Sequence, residues 1–169
     1  QSGQAAAGAP SGAAVADLPF KASDAIGVLM AYSAKVRIDQ IGSNDTTDTL
    51  TNGVSSRRNQ LLMDISSELG VASVDGAAEA TLDKLAQIVN KAAPNYKPFG
   101  AVLSEALRDR LRSLFGAAGV KQQYIRDRVT NVWQLGEGWV ASVLATLLLD
   151  TREGASSRGG DLAKLPTAA

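Results

Sequence analysis

From residue 26 to residue 149, aliphatic side chains recur at helical spacing, and no stretch of comparable length alternates as a strand would. Ile26, Leu29, Ser33 and Val36 fall on one stripe with Ala25, Met30 and Tyr32 beside it, which predicts a helix capped by Ser23 and running to about Asp39. Leu61, Leu62, Ile65 and Leu69 make a second stripe that begins near Ser55 or Ser56 and stops at Gly70. Residues 73–80 suit a short helical turn, and Thr81 opens a helix burying Leu82, Leu85, Ile88 and Val89, closed by Pro94. Beyond "PNYKPFG", Ala101 to Phe115 buries Leu103, Leu107, Leu111 and Leu114. Val120 to Leu135 is expected to bury Tyr124, Ile125, Val129, Val132 and Trp133. Trp139 to Leu149 is apolar nearly all round, so it is the expected central element of the second half. The fold class this predicts is all-α.

Aromatic residues are only 5% of a chain that is 45% apolar, so the core must come from Leu, Val, Ile and Ala. That too favours packed helices over a sheet sandwich. A chain of 169 residues folds as one domain or as two small subdomains sharing a core, burying roughly 70% of the surface of its extended form. Residues 1–17, "QSGQAAAGAPSGAAVAD", hold almost no large apolar side chain and read as a linker. As a flexible coil about 17 residues span ~20–25 Å, and ~60 Å when taut. Residues 151–169 read as a similar C-terminal linker, with a weak "DLAKL" that is able to dock. The chain opens on Gln1 rather than Met, which suggests a piece of a longer polypeptide.

The chain has no Cys and no His. A thiolate nucleophile, a Cys-ligated metal and every Ser-His-Asp triad are excluded, and only Asp, Glu, Lys, Arg and Tyr remain for acid–base work. The carboxylates Asp64, Glu68, Asp83 and Glu105 read as single surface residues serving solubility. No catalytic residue and no metal site is expected. Lys and Arg total 17, as do Asp and Glu, so no global field steers the chain to nucleic acid or to an anionic membrane. No run of 18 apolar residues spans a bilayer, and no signal peptide opens the chain. "LFGAAGVKQQYIRDRVTNVW" has helix-turn-helix spacing with Arg112, Lys121, Arg126 and Arg128, but Asp109 and Asp127 balance those charges. A helical hairpin with a solvated face is the preferred reading there. A third possibility is a structural or docking module of a large assembly.

One junction raises a chemical question. The polar loop "GSNDTTDTLTNG", with Leu50 as its expected anchor, runs through Val54 into "SSRRNQLLMDISSELG". A serine at a helix start usually only caps it. It also suits attachment of a phosphate, because a helix start offers unpaired N–H groups and a positive dipole end. Arg57 and Arg58 add cationic charge within one turn, and Asn52-Gly53 lets the loop turn sharply. The residues alone leave open whether Ser55 or Ser56 is cap or anchor.

The order of these pieces resembles an acyl carrier domain of the fungal-like and actinobacterial (mycobacterial-type) type I fatty acid synthases. "PFKASDAIGVLMAY" looks like their opening helix, "NGVSSRRNQLLMDISSELG" like their Gly-x-Ser attachment loop and second helix, and "TLDKLAQIVNKAAP" like their closing core helix. "LSEALRDRLRSLFGAAGVKQQYIRDRVTNVWQLG" and the apolar helix after it look like the helical extension of those domains. The Ala/Gly-rich composition and Val54-Ser55-Ser56-Arg57 lean toward the actinobacterial branch. Free-standing carriers usually have Asp-Ser-Leu and an acidic second helix, and this chain has neither.

The resemblance implies a four-helix carrier core at 18–95 and a helical structural subdomain at 96–150 packed on it. It implies 4′-phosphopantetheine, taken from coenzyme A by a phosphopantetheinyl transferase, on Ser55. The implied function is carriage of acyl chains as thioesters, with no catalysis by the domain itself, between the ketoacyl synthase, reductases, dehydratase and transferases of one synthase. It also implies a cytoplasmic parent, a multifunctional acyltransferase-class enzyme and large homo-oligomer.

Overall fold

The computed structural model describes residues 15–151. The regular structure among those residues is all helical, with no strand, and the segment 73–80 forms hydrogen-bonded turns and not a helix of its own. The expected linkers at 1–17 and 151–169 lie almost wholly outside the described residues. Val15, Ala16 and Asp17 fall inside them, and so does Thr151.

Helix α1, Ala22–Ala34, starts at Lys21, whose N–H donates to the Asp24 carboxylate at 2.8 Å. Ser23 is therefore not the cap. Its hydroxyl accepts from Asn90 Nδ2 at 3.0 Å while its N–H donates to Asn90 Oδ1 at 2.9 Å, which pins α1 to α4, Leu82–Ala92. The expected continuation to Asp39 does not form. Lys35 turns left-handed at φ 60°, and the N–H of Val36 donates back to the Ala31 carbonyl, closing the helix in the geometry glycine usually supplies. Ser33 consequently lies exposed.

The polar loop holds a one-turn helix, α2, Thr47–Leu50, with Thr46 as its N-cap. The main anchor of the loop is Thr47 rather than Leu50. Thr47 is fully buried and donates to the Ala78 carbonyl at 3.2 Å, whereas Leu50 is half-buried against the core. The loop is also bonded to the start of α4, through Leu82 N–H to Asp45 O at 2.8 Å and Asp83 N–H to Ser43 O at 3.2 Å. Helix α3, Ser55–Leu69, follows directly and ends on Gly70 at φ 70°.

Helix α5, Ala101–Phe115, buries Leu103, Leu107, Leu111 and Phe115, with Leu114 half-exposed. The single helix expected over 120–135 is instead α6, Gln122–Asp127, followed by a π-helical turn at Arg128–Val132. The wider i→i+5 turn inserts a residue and rotates the end of the segment off the inward face. Val129 remains buried, but Val132 and Trp133 are 54% and 58% exposed, and Tyr124, on α6 itself, is 53% exposed. That overturns the assignment of all three to the core.

Helix α7, Glu137–Thr151, buries Val140, Ala141, Leu144, Ala145, Leu148 and Leu149. It packs on α5 and α6 and equally on α1, so it belongs to both halves rather than to the second alone. Its first turn also receives the N-terminal segment: Gly138 N–H and Trp139 Nε1 donate to Asp17 Oδ1 and Ala16 O, each at 3.0 Å. Side chains from α1, α3, α4, α5 and α7 close into one hydrophobic cluster. Among the described residues no helix is long and apolar enough to cross a membrane.

Candidate functional site

The start of α3 is built by a tight backbone turn. Asn52 and Gly53 both take left-handed conformations, φ 55° and 72°, directly after α2. No atom lies within 4 Å of where a Gly53 side chain would begin, so this glycine answers to backbone conformation and not to space. Gly53 N–H donates to Asp48 O at 2.9 Å, and Val54 N–H to Thr51 O at 3.0 Å. Through Thr47 and Asp45 the same loop is bonded to the segment before α4 and to α4 itself. The turn is therefore a fixed platform.

Neither serine caps the helix. The N-cap position belongs to Val54, whose side chain has no acceptor, and Ser55 and Ser56 are the first two helical residues. Both are exposed, and their hydroxyls make no hydrogen bond among the described residues. The first N–H of this helix to find a carbonyl is that of Arg58, which donates to Val54 O at 3.0 Å. The N–H groups of Ser55, Ser56 and Arg57 are left open, as a helix start without a cap leaves them.

The arginines divide. Arg58 bonds the Asp48 carboxylate at 3.0 Å, so it braces α3 against α2 and is not a free cation. Arg57 is exposed with no side-chain partner among the described residues. Of the two arginines, only Arg57 is left without a side-chain partner among the described residues. The arrangement provides an accessible hydroxyl, three open backbone donors and one unpaired guanidinium. It suits holding an anionic group.

At the far end of the same helix lies a residue that sequence reasoning misplaced. Glu68 is 2% exposed, not a solubilising surface acid. Its carboxylate accepts from Tyr96 Oη at 2.6 Å, from Gly100 N–H at 2.5 Å and from Leu103 N–H at 2.7 Å. Gly100 is the N-cap position of α5 and Leu103 its third residue, so Glu68 caps α5 from another helix. Burial first, and then the adjacent carboxylate, push the Tyr96 phenol well above the ordinary tyrosine range. A side chain on Gly100 would overlap the backbone carbonyl of Glu68, so only glycine permits this approach. The missed signal was position: Leu61, Ile65 and Glu68 share one stripe.

A wholly helical bundle with a helical extension, presenting a serine just after a sharp turn, has the layout of a carrier domain. The model of the fatty acid synthase subunit alpha acyl carrier domain matches residues 16–158. Among curated relatives, the fatty acid synthase subunit alpha of Schizosaccharomyces pombe is 31% identical over 149 residues, covering 88% of this chain and 8% of that protein. The subunit alpha of Lachancea kluyveri is 31% identical over 152 residues, covering 87% and 8% respectively. The chain belongs to the acyl carrier domain family of type I fatty acid synthases. It spans about a twelfth of the length of these relatives, both of which are fungal.

Proposed function

We propose that Ser55 is the attachment residue for 4′-phosphopantetheine and that the domain carries growing acyl chains for a fatty acid synthase. The observation that carries this reading is the uncapped start of α3, where an exposed hydroxyl adjoins three open N–H groups. The register of Gly53-Val54-Ser55 against the family's Gly-x-Ser supports Ser55 over Ser56. In the attachment step the Ser55 Oγ displaces 3′,5′-adenosine bisphosphate from coenzyme A. A phosphodiester forms, and the hydroxyl proton passes to a base of the phosphopantetheinyl transferase. When bound, the group supplies a terminal thiol that holds acyl chains as thioesters, which a chain without Cys cannot do.

This chain's own residues position and tolerate the charge. The Asn52-Gly53 turn holds the hydroxyl clear of the loop, the open N–H groups and the dipole end of α3 face the phosphate, and Arg57 offsets its charge. Arg58, held by Asp48, keeps α2 against α3. The domain would present the acyl chain in turn to ketoacyl synthase, reductase, dehydratase and transferase sites of a multifunctional parent. That parent would be an acyltransferase-class, homo-oligomeric assembly of the cytoplasm.

Incubation with coenzyme A and a phosphopantetheinyl transferase, followed by intact-mass measurement, tests the reading. The expected result is one phosphopantetheine per chain, lost in Ser55→Ala and kept in Ser56→Ala. A folded wild-type sample that gains no mass ends the carrier reading. Loss in Ser56→Ala alone moves the site by one residue.

A further inference from the structure

We infer that the outer face of the extension, formed by α6, the π-helical turn and the middle of α7, is a docking surface for a protein partner. That partner presents an apolar side chain ringed by carboxylates, on another domain of the same synthase. This surface plays no part in attachment at Ser55. Three observations converge on it.

The first is the exposed apolar character. Tyr124, Val132 and Trp133 are more than half exposed and Val143 is 39% exposed. The π-helical turn carries Val132 and Trp133 out of the core, so a helix that kept its register would have buried what this one displays. Aromatic side chains with an adjacent arginine are the residues that dominate binding energy at protein interfaces. Here Tyr124 and Trp133 flank Arg128.

The second is shape. Tyr124, Ile125, Val129, Trp133, Leu135 and Val143 line an apolar hollow of about 370 Å³, with Arg128 its one charged lining residue. A hollow of that size has room for one or two side chains.

The third is charge, and it selects the partner. On the other side of α6 a cavity of about 630 Å³ is lined by Arg108, Arg112, Lys121 and Arg126, again with no carboxylate in its wall. Arg112 pairs with Asp109 and Arg126 with Glu137, whereas Arg108, Lys121 and Arg128 have no side-chain partner among the described residues. Asp109 and Glu137 are thus taken by Arg112 and Arg126, and Asp127 accepts from Gln123, so Arg108, Lys121 and Arg128 remain as the unpaired cations around the two cavities. An acidic rim on the partner complements those cations. The curated relatives extend far beyond this domain, which spans only 8% of their length, and the partner is placed on such a further domain.

The test uses the intact synthase with a photo-crosslinking phenylalanine analogue in place of Trp133. Irradiation followed by peptide mass spectrometry should give crosslinks to one Asp/Glu-rich surface of another domain. The yield should fall at least tenfold in Arg128→Glu and in Tyr124→Ala, and should fall with added salt. Both variants should keep the wild-type melting temperature, since both side chains are already exposed. Crosslinks confined to residues 152–169, crosslinks to the same patch of a second copy, or no crosslink above the level of an exposed control position would each overturn the proposal. Phosphopantetheine loading, measured by intact mass on the same samples, reads the carrier function separately. A failure there leaves this test standing.

Discussion

The two ends of α3 are opposites. At its C-terminal end, Gly70 closes the helix and Glu68, buried, takes three donors that would otherwise be orphans of α5 and of the loop before it. At its N-terminal end no side chain caps the helix, two serines are exposed and three N–H groups are open. A single fifteen-residue helix thus carries one fully satisfied polar cluster and one unsatisfied terminus, about 20 Å apart. The difference teaches where rigidity is needed. A buried carboxylate with all its partners fixes the start of α5 to α3 in one geometry. An exposed helix start without a cap stays open to a ligand, because water satisfies it until something better arrives.

Removing the satisfied cluster should have the largest effect on stability. Glu68→Ala leaves the Gly100 and Leu103 N–H groups and the Tyr96 hydroxyl without this acceptor. A buried donor left without an acceptor costs about 1–3 kcal/mol, so losing the shared acceptor of three should cost about 3–5 kcal/mol once relief of the buried charge is set against it. For a chain of this size that lowers the melting temperature by roughly 6–20 °C. Loading of Ser55 at a temperature where the variant is folded should be unchanged, because the two ends share no bond. Thermal unfolding and intact mass, measured on the same variant, check both halves. A variant that melts normally would show that the cluster does not hold the two parts together.

Tyr96→Phe removes one donor of the three and should cost about 1.5–2 kcal/mol at neutral pH, since the lost bond is to a charged group. It also isolates a pH effect. The folded-state pKa of Tyr96 is raised, so its neutral form is favoured by folding. The stabilisation linked to it is fully present below the ordinary tyrosine pKa of about 10 and declines as pH rises beyond that value. Wild-type stability should therefore fall more steeply above pH ~10 than that of Tyr96→Phe. Denaturant midpoints at pH 8 and at the alkaline limit of folding would show it. Parallel pH slopes would place the titrating group elsewhere.

How much of this was legible in the sequence depends on what kind of signal each residue leaves. Leu85, Val89, Leu103, Leu107 and Leu111 lie in the core as their spacing requires, because aliphatic periodicity reports burial directly. Glu68 shares that spacing with Leu61 and Ile65, yet its charge argues for the surface. Only its partners, 28 to 35 residues away, reverse the argument. The end of α1 at Lys35 leaves no trace, since a lysine in the left-handed region looks like any other lysine. Val132 and Trp133 were misplaced for a related reason. A π-helical turn breaks the 3.6-residue register without any glycine or proline to announce it. At the start of α3 the pattern was readable as a helix with two serines at its head. Which residue holds the cap position depends on one step of register, and that step gave the cap to Val54.

The smallest expected effect sharpens the comparison most, because it makes the open end resemble the closed one. Val54→Asp puts an acceptor at the N-cap of α3, where the present side chain has none. Its carboxylate would reach the N–H of Ser56 or Arg57 and add a charge favourable to the helix dipole, stabilising the fold by about 1 kcal/mol. The same carboxylate would occupy the donors proposed for the phosphate and set a like charge beside it. The fold should thus become more stable while loading of Ser55 slows severalfold at unchanged coenzyme A and transferase. Ser at the same position supplies the cap without the charge, so Val54→Ser should stabilise without as large a loss of loading. If both variants load at the wild-type rate while both raise the melting temperature, the open N–H groups do not assist attachment, and the uncapped start of α3 serves exposure of the hydroxyl alone.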